Sequence, residues 1–394
     1  MISALPGSIY TIALLGLWGM FQLLSAYGVF AYWRHMPRDG QTETAQGVVV
    51  IVPVRGPVPD LARYVAAVLD QTGTAARAIF TIATMDDAAY PFLSRASEQN
   101  PQSCSLVIAG LAADEGQKIH NLRAALATLR PDDAYLVFLD ADMIPPQHLI
   151  GRLLFPLVRG KAAISTGYRW LVPDTTAPVS WLTAAINLQV ATLPRLPRWT
   201  LPWGGAMALS RETFDRLGIA EAWRGALSDD LSLYRAAHAR GARIRSMSDL
   251  LLPSTAEPTF TGLWKFGVRQ YRHLFWNTPV MWVLAMMILG VQSAGWVAAW
   301  TAIAGHLPLA ARAIALGYIC AGTRAVFRIA IARRLTTSQA LNPGASVICD
   351  LFLPFVVCWL HLLMILAAPC SRRIRWAGID YWMRAGRVYR MQRL

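Results

Sequence analysis

The chain has 394 residues, 55% of them hydrophobic and only 15% charged, with a mean hydropathy of +0.36. That excludes a disordered chain, which is charged and poor in aromatics, and argues against an ordinary soluble protein, in which about a quarter of residues are charged. The net charge of +14 comes with no nucleic-acid recognition motif, so no nucleic-acid partner is expected.

Residues 2–33 carry no charge and are followed by Arg34, His35 and Arg38. The stretch exceeds the roughly 20 residues that cross a bilayer and lacks the basic start of a secretory signal. It reads as a membrane anchor, with the basic residues behind it on the cytoplasmic side. Between 44 and 255 the pattern changes. Short apolar β-rich runs at 48–54, 79–84, 105–109, 135–140 and 162–167 alternate with helical patterns near 58–70, 90–99, 118–129 and 147–159. Continuous apolar strands separated by helices predict a mainly parallel sheet covered on both faces. Ligands of such sheets bind beyond the carboxyl ends of the strands.

From Leu274 to Ala311 no residue is formally charged, enough for at least one span. A second apolar stretch, about 308–332, is interrupted by Arg312, Arg324 and Arg328, which suggests a segment lying in the interface. A third, about 347–369, begins near Asp350. Three such spans after one at the N-terminus would put the basic end outside, against the positive-inside rule. That end carries Arg372, Arg373, Arg375, Arg384, Arg387, Arg390 and Arg393, and reads as a juxtamembrane tail facing anionic lipid. The expected division is an anchor and linker at 1–43, a catalytic domain at 44–255, an amphipathic interface segment at 256–276, membrane segments at 277–370 and the basic tail at 371–394. The five cysteines have no CxxC spacing and indicate neither a disulfide framework nor a zinc site.

The sharpest chemical feature is FLDADMIPP at 138–146. A buried strand ends in Asp140 and Asp142, a spacing that lets both approach one divalent cation and the phosphates of a ligand. The same residues could equally form an acidic turn capping the next helix. Asp86 and Asp87 follow another strand and would share its rim, or form a solvated turn. Asp229 and Asp230 precede a helical pattern, where a carboxylate caps the helix or acts as a general base. Lys118 and Asn121 lie on one helical face, and Lys118, one of only three lysines, could meet phosphate. Arg269, Arg272 and His273 lie in an aromatic segment suited to the headgroup level, where arginines either anchor or grip a diphosphate. Without GxSxG or a P-loop, hydrolase and P-loop readings fall away.

In order, these elements resemble the membrane-bound family 2-type, GT-A fold glycosyltransferases, most of all the ceramide glucosyltransferase branch. The resemblance covers roughly residues 8–276. It rests on the anchor, Pro53-Val54-Arg55-Gly56, Asp86-Asp87, Lys118-x-x-Asn121-Leu122, Asp140-x-Asp142, Trp203-Gly204-Gly205, Asp229-Asp230 and Arg269-x-x-Arg272. It implies an α/β GT-A domain, with a Rossmann-like mixed sheet that binds a nucleotide-sugar, plus transmembrane helices. Pro53, Asp87, Lys118, Asp140, Arg269 and Arg272 would then contact the UDP-sugar or its diphosphate. Asp142 and Asp140 would hold Mn²⁺ or Mg²⁺, and Asp230 would be the catalytic base. Trp203, Gly204, Gly205 and His273 would lie on the acceptor side, with Trp181 and Trp199 near the lipid. The family's Q/R-x-x-R-W element here ends in His273 where tryptophan is usual, which weakens a processive, chain-extending reading. The implied activity is inverting transfer of one sugar, glucose by the branch, from a UDP-sugar to a lipid hydroxyl such as ceramide, by an integral membrane protein with a cytoplasmic catalytic domain (the inner membrane in a bacterium). Rivals are a polysaccharide synthase or polyprenyl-phosphate glycosyltransferase of the same fold, and a degenerate lipid-binding scaffold.

Overall fold

A computed structural model describes residues 5–37, 40–71, 74, 76–174, 177–196, 199–304, 308–335 and 344–394. Arg38 of the basic run behind the first apolar stretch lies outside them. Helix α1 spans Leu5–His35. The α/β region then runs β1 Val48–Pro53, α2 Leu61–Leu69, β2 Ala76–Ile82, α3 Tyr90–Gln99, β3 Cys104–Ile108, α4 Gln117–Leu126, β4 Tyr135–Leu139, α5 Leu149–Val158, β5 Ile164–Val172, α6 Pro178–Ala191, β6 Ala206–Ser210, α7 Arg211–Arg216, α8 Ile219–Trp223, α9 Asp229–Ala239 and β7 Ile244–Thr255. Beyond it lie α10 Phe260–Asn277, α11 Pro279–Ala304, α12 Pro308–Arg334, α13 Gly344–Phe352, α14 Pro354–Ala367, and the strands β8 Arg373–Trp376, β9 Ile379–Arg384 and β10 Arg387–Arg393.

Seven strands form one sheet in the order β3-β2-β1-β4-β6-β5-β7. β1 is a run of β-branched residues buried on both faces, as a central parallel strand requires. It pairs in parallel with β2 and β4. The sheet is mixed, because β6 runs antiparallel to both β4 and β5. The alternation of strand and helix up to β5 is as the sequence predicts. β6 escapes that pattern because AMALS is short and rich in alanine, buried by its neighbours and weak in β-propensity.

Three helices are long and apolar enough to cross a membrane, Ile9–His35, Pro279–Ala302 and Pro308–Arg334. The Arg-interrupted stretch is thus a candidate span, not an interface segment. Arg324 and Arg328 turn inward and are buried beside Asp350 of α13, so they do not face lipid. The third stretch is broken at Leu353-Pro354 into helices of 9 and 14 residues. At 1.5 Å per residue these reach about 14 and 21 Å, short of the roughly 30 Å hydrocarbon core. α14 runs back along α11, with Cys358 against Ser293 and Ile365 accepting from Trp282 Nε1. α13 begins against the end of α12, where Val347 packs with Ile331 and Leu335. The pair therefore enters and leaves on the side of the α/β region.

The C-terminus consequently lies on the same side as the α/β domain, as do the basic residues that end α1 and α12. The expected tail is in fact a three-stranded antiparallel meander, β10-β9-β8. Its apolar residues alternate with arginines. Ile374, Ile379, Tyr381, Met383 and Val388 pack on Leu227, while Arg375 grips Asp380 through two contacts of 2.7 and 2.8 Å. Ala377-Gly378 and Ala385-Gly386 have positive φ at both positions, the pattern of two-residue hairpin turns.

Candidate active site

The polar residues gather at the carboxyl ends of the strands. Lys118, in the first turn of α4, lies 2.7 Å from Asp140 Oδ1 and 2.9 Å from Asp229 Oδ2, and it donates to the Gly204 carbonyl at 3.1 Å. Its neighbours fix the helix that carries it. Gln117 bonds Ala112 N, the Gly110 carbonyl and Asn121, and Asn121 reaches the Thr81 carbonyl on β2. Asn121 is buried and staples α4 to the sheet, so it does not line the site. Burial works against the Lys118 ammonium, but Asp140 and Asp229 overcome it and hold the charge above the usual lysine range. Burial pushes the Asp140 carboxyl up to about 7 against the pull of Lys118, and it raises Asp229 as well.

Asp140 directly follows β4, its backbone fixed by Gly205 O at 3.0 Å and by Tyr64 Oη at 3.1 Å. Asp142 is exposed and makes no hydrogen bond or ion pair among the described residues. Asp229 is buried, whereas Asp230 is half-buried. Ser228 caps α9, its Oγ accepting from Leu231 N, and Asp230 shares that same N–H. Asp230 accepts from Gly204 N at 3.1 Å through Oδ2, and from Ser228 Oγ and Leu231 N through Oδ1.

The Trp203-Gly204-Gly205 loop has a steric reason for its glycines. A Cβ on Gly204 would stand 2.7 Å from Asp229 Oδ2 and 2.9 Å from Lys118 Nζ. One on Gly205 would stand 2.1 Å from the Trp203 ring. Only glycine lets this backbone pass so close.

Other expected residues are placed differently. Pro53 ends β1. Asp87 accepts from Gly56 N at 3.1 and 2.9 Å and from Ala89 N, so it shapes the turn after β1, where Gly56 has φ +66°. Arg272 donates to the carbonyls of Ala368 and Arg373 and secures the passage from α14 to β8. Arg269 stacks on Phe266, its charge disfavoured by burial and then by Arg169. Burial, then Arg269, lowers His273 to about 3, so its ring is neutral, and its buried Nδ1 has no hydrogen-bond partner among the described residues. Trp203 is buried, Trp181 half-buried and Trp199 exposed.

Four further contributors carry little or no signature in the sequence. Tyr64 and Ser228 are backbone-fixing residues with no motif of their own. Arg169 is signalled only by a charge near the end of an apolar strand. The hairpin tip between β8 and β9 is the fourth. It sets Trp376 edge-on to His273 at 6.2 Å and Gly378 beside the Arg55 guanidinium, while Tyr381 Oη accepts from Gln117 N at 3.2 Å. The repeated Ala-Gly dipeptides at 377–378 and 385–386 are its signal in the sequence.

Mannosyltransferase PcManGT from Pyrobaculum calidifontis, solved in complex with GDP-Man and Mn²⁺, is similar in structure, with TM-score 0.53 and 16% identity over 87% of this chain and 98% of that one. At that identity the likeness establishes the GT-A fold. No curated protein matches. The family model described as glycosyl transferase family 21 matches residues 14–389, nearly the whole chain, including the candidate membrane helices and most of the C-terminal meander. This membrane-associated chain is a glycosyltransferase of GT-A fold and belongs to glycosyltransferase family 21.

Proposed function

We propose that the protein transfers a single sugar from a UDP-sugar to a lipid hydroxyl, inverting the anomeric carbon, with glucose and ceramide as the pair suggested by the resemblance. The observation that carries this reading is the convergence of Asp140 and Asp229 on Lys118, which shares the Gly204 backbone with Asp230 at the strand ends. A carboxylate offers about four acceptor positions, and three donors already hold Asp230 in one orientation. The remaining position, on Oδ2, suits it to take the proton of an acceptor hydroxyl. The bond from the acceptor oxygen to the anomeric carbon forms as the bond to the diphosphate oxygen breaks. Asp87 orders the turn after β1 against which the nucleotide would lie. Lys118 keeps Asp140 and Asp229 from repelling a diphosphate.

Among the described residues no three His, Cys, Asp or Glu are grouped to hold a metal. Asp142 and Asp140 nevertheless fit Mn²⁺ or Mg²⁺, because such ions use one or two carboxylates and take further oxygens from substrate phosphates. The Mn²⁺ and GDP-Man of the archaeal mannosyltransferase support this choice. When bound, the cation stabilises charge on the departing diphosphate. Helix α10 and the re-entrant pair bring the site to the membrane, so a lipid acceptor need not leave the bilayer. Arg34, Arg333 and Arg334 cluster at the catalytic-side ends of α1 and α12, which supports a cytoplasmic catalytic domain.

The test is UDP release and lipid product from purified protein given Mn²⁺ or Mg²⁺, a panel of UDP-sugars, and ceramide, diacylglycerol or polyprenyl phosphate. One glycosylated lipid, abolished by EDTA and by both Asp230→Asn and Asp142→Ala, is expected. Undiminished transfer by Asp230→Asn would remove the assigned base. A photoreactive lipid should label near Trp199 and Trp203.

A further inference from the structure

A continuous stack of arginines and aromatics runs along the edge of the site nearest α10. Arg195, after α6, lies 4.9 Å over Tyr168, whose ring is 6.0 Å from Trp203. Arg169, near the end of β5, stands 5.5 Å over Trp203 and 5.4 Å over Phe266. On the same Phe266 ring, Arg269 is placed at 5.8 Å. These separations lie within the range where a guanidinium is held by a ring face. The stack passes through Trp203, the residue before the Gly204 backbone that binds Lys118 and Asp230.

Several cations elsewhere in the molecule are paired. Lys118, Arg77, Arg123, Arg328 and Arg375 each contact a carboxylate. Arg169 and Arg269 form no ion pair among the described residues. They share one ring as like-charged neighbours, with Glu257 the carboxylate that influences Arg269. Two half-buried guanidiniums side by side repel each other, and an incoming anion relieves that repulsion. Planar guanidinium forks suit phosphate oxygens. Arg272, by contrast, spends its donors on two backbone carbonyls.

We propose that Arg169 is a substrate-binding residue that acts with Arg269 as a cationic clamp for a phosphate group at this edge of the site. The phosphate belongs either to the diphosphate of the sugar donor or to a phosphate-bearing lipid acceptor. Only the donor source rests on the function proposed above.

Binding measurements on purified full-length protein separate these cases. The probes are UDP, uridine, farnesyl phosphate and farnesol, applied to wild type, Arg169→Met, Arg169→Lys and Arg269→Met. The clamp predicts at least a tenfold loss of affinity in both Met variants for UDP or for farnesyl phosphate, with uridine and farnesol unchanged and Arg169→Lys in between. Loss confined to UDP assigns the clamp to the donor, and loss confined to farnesyl phosphate assigns it to the acceptor. Unaltered binding of both phosphates in variants that melt like wild type overturns the proposal and leaves the stack as packing. If a Met variant fails to fold, Arg169→Lys decides, because a stack that only packs would bind both phosphates as wild type does. Wild type that binds no UDP defeats the donor reading, and farnesyl phosphate against farnesol then upholds or overturns the clamp by itself.

Discussion

Two buried ionic clusters in this molecule are built in opposite senses. At the strand ends, one cation, Lys118, faces Asp140 and Asp229 directly, with Asp230 within electrostatic reach and Asp142 acting on Asp140. Among the membrane helices two cations, Arg324 and Arg328, share the single carboxylate of Asp350. The membrane cluster is closed. Arg324 also reaches Gln22, which donates to Gln292, while Arg328 reaches Thr192 and Asp350 accepts from Gln189. Five helices are joined through these groups, as expected where an unsatisfied polar atom has no water to turn to. The rim cluster is left short of positive charge, and Asp140 keeps 28% of its side chain exposed. A dry cluster that is complete holds helices together, whereas a partly open one with surplus carboxylate has room for a ligand.

The largest effect expected from breaking this contrast is at Asp350. Asp350→Ala strands two buried arginines, and removing one partner of a buried pair costs about 3–5 kcal/mol. Folded protein should fall sharply in yield and melting temperature in detergent. The double variant Asp350→Leu with Arg328→Met should recover much of that loss, since apolar replacement of a buried pair is often neutral. Asp230→Asn should instead melt like wild type and lose transfer by roughly 10²–10⁴-fold. If Asp350→Ala melts normally, the membrane cluster is not the brace described.

Lys118→Met sharpens the same contrast from the other side. Without the ammonium, Asp140 and Asp229 face each other uncompensated, and about 2–4 kcal/mol of stability should go. Mn²⁺ should then raise the melting temperature more than it does in wild type, because a cation now enters a more negative rim. An equal or smaller Mn²⁺ shift would count against Asp140 as part of the cation site.

Gly204→Ala should act more gently. Its Cβ meets Asp229 and Lys118 below 3 Å, so the pair must spread, costing about 1–3 kcal/mol and lowering the rate of transfer more than the affinity for UDP. A rate equal to wild type would mean that the spacing of this cluster does not matter for the reaction.

The contrast also marks what the sequence could convey. β1, β2 and β4 announce themselves because strands buried on both faces need unbroken apolar runs, and Asp140 stands out where such a run stops. Lys118 is visible through its rarity. Arg324 and Arg328 mislead, because a charge in an apolar stretch reads as an interruption until Asp350, distant in sequence, supplies its partner. The meander at 373–393 is obscured by its arginines, whose number suggests a lipid-facing tail while period-2 alternation places Ile374, Tyr381 and Met383 inward. Arg169 could not be assigned, since its significance lies in Trp203 and Phe266, which arrive from distant elements.

At neutral pH the smallest effect belongs to His273, which borders both Asp229 and Arg269 yet is neutral. Its pKa is lowered to about 3 by burial first and Arg269 second, against an ordinary value near 6.5. A depressed histidine favours the fold while it is neutral, so its contribution is present above about pH 6.5 and declines as pH falls toward 3. Wild type should therefore lose melting temperature between pH 6.5 and 4 more steeply than His273→Gln, which cannot take up a proton. The two should run parallel above pH 7. Parallel curves throughout would show that His273 is solvated, and that the wall made with Trp376 stands open to water.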